Sequence, residues 1–410
     1  MTRYKPGTYI ALFIGAHFAH HLLTALVAPI LPFIRDSFSL SYAQAGGVVS
    51  AFTLSYGIAQ LPAGWLADRV GRRYLITVGI SGVAVAGAVA GLTTTYVGLI
   101  GALVLMGIAG GGYHPSAAPL IMASVPPDRT GRALGLHLIG GSASHFATPL
   151  LGAALALAFG WRGAFLGISL PVFAFGVVFF LTLHGRGEQR WVAAADPAGP
   201  SVPGSETNAT SGGRSGRVRR QTLFRIIIFL ILTSSLGAAI GSLTAFIPLY
   251  LVDGFGLSES WAAASLSAFF LTGVVAAPVG GALSDRFGPV PILVTLSVVV
   301  GPLVIAMAYA PWLPIFMAVL LGIGVVAFVR MPVSESYLSA DVPEHLRSTV
   351  LGVYFFAGME ASGIVTPIIG AIIDGRGFAI AFLSLGIVLT VVAGVASIIL
   401  LRLHLGGRDA

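Results

Sequence analysis

Apolar stretches of about twenty residues, each bounded by a short polar turn, follow one another from residue 9 to residue 402. A helix needs ~20 apolar residues to cross the ~30 Å hydrocarbon core of a bilayer. On that criterion the pattern predicts twelve spanning helices, over residues 9–34, 42–66, 74–93, 96–122, 133–158, 162–183, 224–251, 260–283, 290–309, 312–338, 348–372 and 377–402. Between the sixth and the seventh the pattern fails. Residues 185–223 carry Pro197, Pro200, Pro203, a Ser/Gly-rich run and Arg214, Arg217, Arg219 and Arg220, a composition that cannot bury a core. The chain therefore divides into a six-helix segment 1–184, a flexible cytoplasmic linker 185–223 and a second six-helix segment 224–410.

The polar turns repeat. Gly64-Trp65-Leu66-Ala67-Asp68-Arg69-Val70-Gly71-Arg72-Arg73 returns in reduced form as Gly281-Ala282-Leu283-Ser284-Asp285-Arg286-Phe287-Gly288, 217 residues later. The same offset relates Asp36-Ser37-Phe38-Ser39-Leu40-Ser41 to Asp253-Gly254-Phe255-Gly256-Leu257-Ser258, and Val125-Pro126 to Val342-Pro343. One offset at separated places means duplication, and similar halves that meet at a central site mark secondary transporters.

Composition narrows this further. Charged residues make up 9% of the chain and the mean hydropathy is +0.93, against roughly 25% charge in a soluble domain. The absence of cysteine excludes disulfides and thiolate metal sites. The first apolar segment is too long for a signal-peptide core and is expected to stay as helix 1. The net charge of +7 reports orientation. With both termini cytoplasmic, Arg69, Arg72, Arg73, Arg129, Arg132, Arg286 and Arg347 fall in cytoplasmic turns, while the opposite turns hold Arg35, Arg162 and Arg376. The partner of this charge is the lipid bilayer and not nucleic acid. A single lysine among 22 basic residues fits a GC-rich bacterial coding sequence, hence a multi-pass protein of a bacterial inner membrane.

An ionisable side chain in hydrocarbon costs a few kcal/mol, so each one is a functional candidate. His20, His21, His145 and Glu360 fall near the middle of their spans; His17, His114, His137, Arg330 and Glu335 fall nearer one end. Glu360 is the acid nearest the centre of any span, and desolvation favours the protonated carboxyl, which makes it the candidate proton carrier. A static ion pair with Arg330 is the alternative. Arg330 keeps its charge in any environment and must face a cavity, an acidic partner such as Glu335, or a substrate anion. His17, His20 and His21 lie at i, i+3 and i+4, on one helical face. Imidazole binds transition metals, yet no carboxylate lies within the first six spans to complete a hard-metal site. The expectation is no metal and no cofactor, with proton-relay or hydrogen-bonding roles for His21, His114 and His145. His114-Pro115 and, at the repeat offset, Met331-Pro332 interrupt corresponding helices, which points at the binding site.

The string from Gly64 to Arg73 closely resembles the signature loop of the major facilitator superfamily, and its copy after the eighth helix strengthens the likeness. The resemblance implies an all-α membrane protein with 12 transmembrane helices in two pseudo-symmetric six-helix bundles. They would rock about a central cavity, with Asp68, Arg69, Arg72, Arg73, Asp285 and Arg286 in cytoplasmic gating turns. Asp68 can pair with arginines or face a helix N-terminus of the opposite bundle while that side is closed. The family's proton-antiporter arginine in helix 4 is replaced by Leu103. Thr148-Pro149-Leu150-Leu151-Gly152 partly resembles the antiporter motif of helix 5, and Thr366-Pro367-Ile368-Ile369-Gly370 repeats it. His17, Pro32, His114-Pro115 and Gly140-Gly141 through Pro149 bring the chain nearest to the fosmidomycin-resistance exporters. His20-His21 stands where that branch tends to carry Asn-Asp, and Ser116 where it carries an acid. The resemblance and the buried polar residues together imply a monomeric, proton-coupled secondary transporter that exports a small drug-like or anionic solute by alternating access. The rival is a proton-coupled importer of organic anions, with a transporter-like sensor more distant. No nucleophile–base set or phosphate loop suggests an enzyme.

Overall fold

The structure, a computed structural model of the chain, describes residues 6–125, 130–183, 220–341 and 344–405. The linker expected at 185–223 falls almost wholly outside the described residues, as do the side chains of Asp68 and Glu335. Among the described residues all regular structure is helical. In the first half these are α1 (Pro6–Thr24), α2 (Leu31–Phe38), α3 (Tyr42–Val70), α4 (Arg72–Thr77), α5 (Val83–Leu92), α6 (Tyr96–Gly110), α7 (Tyr113–Ser124) and α8 (Thr130–Leu183). The second half holds α9 (Arg220–Asp253), α10 (Glu259–Phe287), α11 (Pro289–Ala308), α12 (Leu313–Asp341) and α13 (Glu344–Leu405).

Eight segments are long and apolar enough to cross a membrane. Two of them, within α8 and α13, are of double length and bend at Gly160 (φ 71°) and Gly377 (φ 79°). Counting each bend as a helix boundary, and adding α1 with α2 and the more polar α3, gives the twelve predicted spans. The first is not one rod. Pro29 and Pro32 cannot donate backbone hydrogen bonds, and residues 25–30 relax into turns between α1 and α2. The third is continuous from α4 to α5 but passes through a π-turn at Val78–Gly82. In the fourth, Pro115 and three consecutive glycines break α6 from α7, which leaves His114 in the first turn of α7.

The duplication is written in the backbone. The described residues with positive φ are Ser39, Gly71, Gly160, Gly256, Gly288 and Gly377, which form three pairs 217 residues apart. The N-caps repeat likewise: the Ser41 hydroxyl accepts from Gln44 N at the start of α3, and the Ser258 hydroxyl accepts from Trp261 N at the start of α10. Helix starts and left-handed turns are local chain chemistry, so both halves inherit the same hinges.

Two helix pairs make most of the contact between the halves: α3 with α13, and α8 with α10. Small residues let the backbones approach closely. A Cβ on Gly46 would lie 2.9 Å from the Pro367 Cα, and the Ser50 hydroxyl donates to the Gly363 carbonyl at 2.6 Å. Ser267 likewise donates to the Phe146 carbonyl at 2.8 Å. The α3–α13 contacts run from Tyr42 opposite Asp374 to Gln60 opposite Met359. Beyond Gln60 the apolar Leu61, Trp65 and Val70 are more than half exposed. Polar contacts join the halves at the end that bears Arg35 and Asp253.

Within the first half, Gly107 of α6 lies where a Cβ would meet Phe52 O at 2.7 Å and Tyr56 N at 2.8 Å, whereas a Cβ on Gly101 meets nothing within 4 Å. Gly107→Val should cost about 1–3 kcal/mol through overpacking and lower the melting temperature of the purified protein. Gly101→Val should leave it unchanged.

Candidate functional site

Six histidines gather inside the first half. His17, His20 and His21 come from α1, His114 from α7, and His137 and His145 from α8. His17 stacks on His137 with ring centroids 4.2 Å apart, and His21 lies 4.8 Å from both His17 and His20 and 4.7 Å from His145. Tyr113 stacks on His20 at 4.3 Å. The sequence placed His17, His114 and His137 nearer the ends of their spans than the others; the structure brings all six rings into one cluster. One helical turn advances only ~5.4 Å, which an imidazole reaches across.

Backbone carbonyls hold these rings. His17 Nδ1 lies 3.0 Å from His137 O, His137 Nδ1 lies 3.0 Å from Phe13 O, His20 Nδ1 lies 2.7 Å from Gly79 O, and His145 Nδ1 lies 2.8 Å from Gly141 O. A carbonyl only accepts, which assigns the proton to Nδ1 in all four and leaves Nε2 with its lone pair. Tyr56 then donates to His20 Nε2 at 3.1 Å. Local chain chemistry explains the arrangement. Gly79 sits in the π-turn of the third span, and such turns offer carbonyls that a regular helix would use internally. At Gly141 a Cβ would meet the His17 ring at 2.6 Å, so the absent side chain is what lets α1 lie against α8.

The second half contributes Arg330 of α12 and Glu360 of α13. Arg330 Nη1 donates to the Tyr354 hydroxyl at 3.1 Å and faces Thr233 O at 3.5 Å, while its Nε is buried without a hydrogen-bond partner. Among the described residues no carboxylate pairs with it, so the ion pair with Glu360 considered from sequence does not form. Glu360 points instead across the seam to Gly57 of α3, where its Oε1 fills the space a Cβ would need and has no hydrogen-bond partner. Glu335 lies outside the described side chains.

Of the residues expected in the gating turns, Arg69 stacks over Trp65 at 4.0 Å, Arg73 over Phe180 at 4.5 Å and Arg286 over Phe287 at 5.1 Å, each within its own half, and Asp285 is exposed. Asp68 lies outside the described side chains, and Arg72 is only partly exposed.

Charged contacts between the halves lie at the other end, on Arg35 and Asp253, which the sequence marked only for orientation and repeat, and on Tyr42 and Asp374, which it did not mark. Arg35 pairs with Asp253 through both guanidinium nitrogens, one at 2.9 Å, and Tyr42 donates its hydroxyl to the same carboxylate at 2.6 Å. The hydrogen bond to Asp253 holds the Arg35 guanidinium more firmly protonated than a free arginine. Asp374 of the second half accepts from Tyr42 N at 2.7 Å and Ala43 N at 2.9 Å, capping α3 with an opposite charge. The available signal was the repeated Asp-x-Phe-x-Leu-Ser string, which brings Asp253 to a helix end beside Arg35.

Two halves of six membrane helices with matching turns fit the fold of a membrane transporter. The family model for the Major Facilitator Superfamily matches residues 13–367, and the chain belongs to that superfamily. Relatives include the uncharacterized MFS-type transporter YfnC of Bacillus subtilis, 27% identical over 92% of each chain. The multidrug resistance protein MdtG of Dickeya zeae is 28% identical over 93% of this chain and 91% of its own. The chloramphenicol resistance protein of Streptomyces lividans is 27% identical over 84% of each. A bacterial homolog of the human lysosomal transporter Spinster, solved inward-facing and unoccupied, shares the fold at a TM-score of 0.79, 18% identity and 99% coverage of both chains.

The latch predicts a measurable opening. Since the chain has no cysteine, Ser50→Cys provides a single thiol reporter in the buried α3–α13 seam. Adding Asp253→Asn and Asp374→Asn removes both inter-half carboxylates and should speed maleimide labelling of that thiol at least about tenfold, a shift of ~1.4 kcal/mol between closed and open forms.

Proposed function

We propose that this transporter exports a small drug-like or anionic solute in exchange for protons, across a bacterial inner membrane and with both termini cytoplasmic. The observation that carries the reading is Glu360: a carboxylate at the seam between halves with an oxygen that no protein group satisfies. A carboxyl so placed can take up a proton when the seam opens to one side and lose it when the seam opens to the other. Arg330 supplies a fixed positive charge in the same half and attracts an anionic group. The relatives named for multidrug and chloramphenicol resistance support the outward direction, and His17, His114-Pro115 and Gly140-Gly141 support a place near the fosmidomycin-resistance branch. The Asp68 and Asp285 turns, with Arg69, Arg72, Arg73 and Arg286, would close the cytoplasmic side in the opposite state. Arg330 also favours one second reading, import of an organic anion with protons.

A thermal-shift screen of solutes on the purified protein identifies a ligand, which raises the apparent stability of the folded state. In proteoliposomes loaded with that solute, Glu360→Gln should cut pH-driven flux at least about tenfold while leaving binding and melting temperature intact, since no ion pair is lost. Arg330→Ala should abolish transport and Arg402→Ala should not; Asp68→Asn should impair it more than Asp285→Asn. Undiminished pH-driven flux in Glu360→Gln removes the proton-carrier role. Flux of solute in the same direction as protons favours import.

A further inference from the structure

The histidine cluster has a property that solute–proton exchange does not use. His17, His21 and His114 each present a ring nitrogen within 4.8 Å of the other two. Two of these rings are already oriented from behind: His17 through its Nδ1 on the His137 carbonyl at 3.0 Å, and His21 through its Nδ1 on the Thr24 hydroxyl at 3.0 Å. That is the outer arrangement of metal-bound imidazoles, in which one nitrogen is tied to an oxygen and the other is left as ligand. His114 makes ring contacts with His17, His20 and His21 but, among the described residues, no hydrogen bond. His114 is thus a half-buried imidazole without a hydrogen bond among the described residues, with a ring nitrogen of each of two further imidazoles within 4.8 Å of its own.

We propose that His17, His21 and His114 form a binding site for one first-row transition-metal ion, Zn²⁺ or an ion of similar size, inside the first half of the chain. This departs from the expectation of no metal, which rested on the lack of a carboxylate; three imidazoles suit zinc, copper, nickel and iron without one. Ligand bonds of ~2.0–2.1 Å in a tetrahedron set nitrogen–nitrogen separations of about 3.3 Å, so each ring has to move inward by about 0.8 Å at most. Side-chain rotation supplies that. Three protein ligands leave a fourth position open. Because no carboxylate belongs to the cluster, a divalent ion keeps its full charge and draws an anion such as hydroxide into that position. All three ligands stand on α1 and α7 of one half, so the site persists while the halves move against each other. It does not depend on the proton-exchange reading.

The full-length protein, purified with a tag free of histidine and stripped with chelator, is titrated with Co²⁺ and followed by the visible absorption of tetrahedral cobalt. One equivalent should bind saturably, and Zn²⁺ should displace it. His21→Ala and His114→Ala should each weaken Co²⁺ binding about 100-fold or more. His17 also anchors α1 to α8, so the test relies on the other two, with size-exclusion profile and metal-free melting temperature as checks that they fold. Replacing His184, His345 and His404 together by alanine should leave binding unchanged, and Zn²⁺ should raise the melting temperature of the parent but not of the His21→Ala/His114→Ala double variant. The site is overturned if the parent binds no single equivalent, if the folded double variant binds as the parent does, or if the His184/His345/His404 variant loses the signal.

Discussion

Inside a bilayer no water satisfies a polar atom, so every donor and acceptor in a spanning helix needs a partner within the protein. The bonds from histidine Nδ1 atoms to the carbonyls of His137, Phe13, Gly79 and Gly141 answer that constraint. They fix the tautomer of four rings, staple α1 to α8 and to the π-turn of the third span, and leave lone pairs turned inward. The buried imidazoles of the first half are therefore gathered in one knot. Its position follows from Gly79 and Gly141, where a side chain would collide with Tyr113 or with the His17 ring.

The second half answers the same constraint differently. Among the described residues Arg330 finds a tyrosine hydroxyl and a carbonyl but no acid, and Glu360 finds the space left by Gly57 but no cation. A buried charge missing its counter-charge is costly to stability. Both are retained in a half that also carries many well-packed apolar contacts, and groups poised in this way are able to respond to a solute or a proton. The asymmetry is informative because the two halves descend from one unit. Their turns still coincide at three positive-φ pairs and at the Ser41 and Ser258 caps. The buried Ser50 and Ser267, 217 residues apart, still donate across the seam to the equivalent carbonyls of Gly363 and Phe146. The histidines of the first half and Arg330 and Glu360 of the second, by contrast, have no histidine or charged counterpart at that offset.

Legibility in the sequence followed the range of the physics. Span lengths, the duplicated turns and the span boundaries near Gly160 and Gly377 depend on local composition, and they were readable. So was the interruption at Pro115, whereas the break that Pro29 and Pro32 impose within residues 9–34 was not read. The gathering of six histidines was readable as a list of candidates but not as a cluster, because their contact depends on how closely α1 approaches α7 and α8. The Arg35–Asp253 latch was not readable as a function. Each residue looked like an ordinary turn charge, and only the packing of α3 on α13 brings Tyr42, Asp253 and Asp374 to one point.

That latch also explains why the closed end is closed. A surface ion pair alone contributes little, ~0–1 kcal/mol. Here Asp253 accepts from both Arg35 and Tyr42, while Asp374 accepts two backbone N–H groups at the start of α3. Those backbone donors have no partner within their own helix, so withdrawing Asp374 transfers the cost to α3 itself unless water replaces it. The end that closes is therefore the end where a helix terminus of one half is completed by a carboxylate of the other. At the opposite end Arg69, Arg73 and Arg286 stack on aromatic rings of their own half. The joining of the halves at the Arg35 end follows from the partners of Asp253 and Asp374.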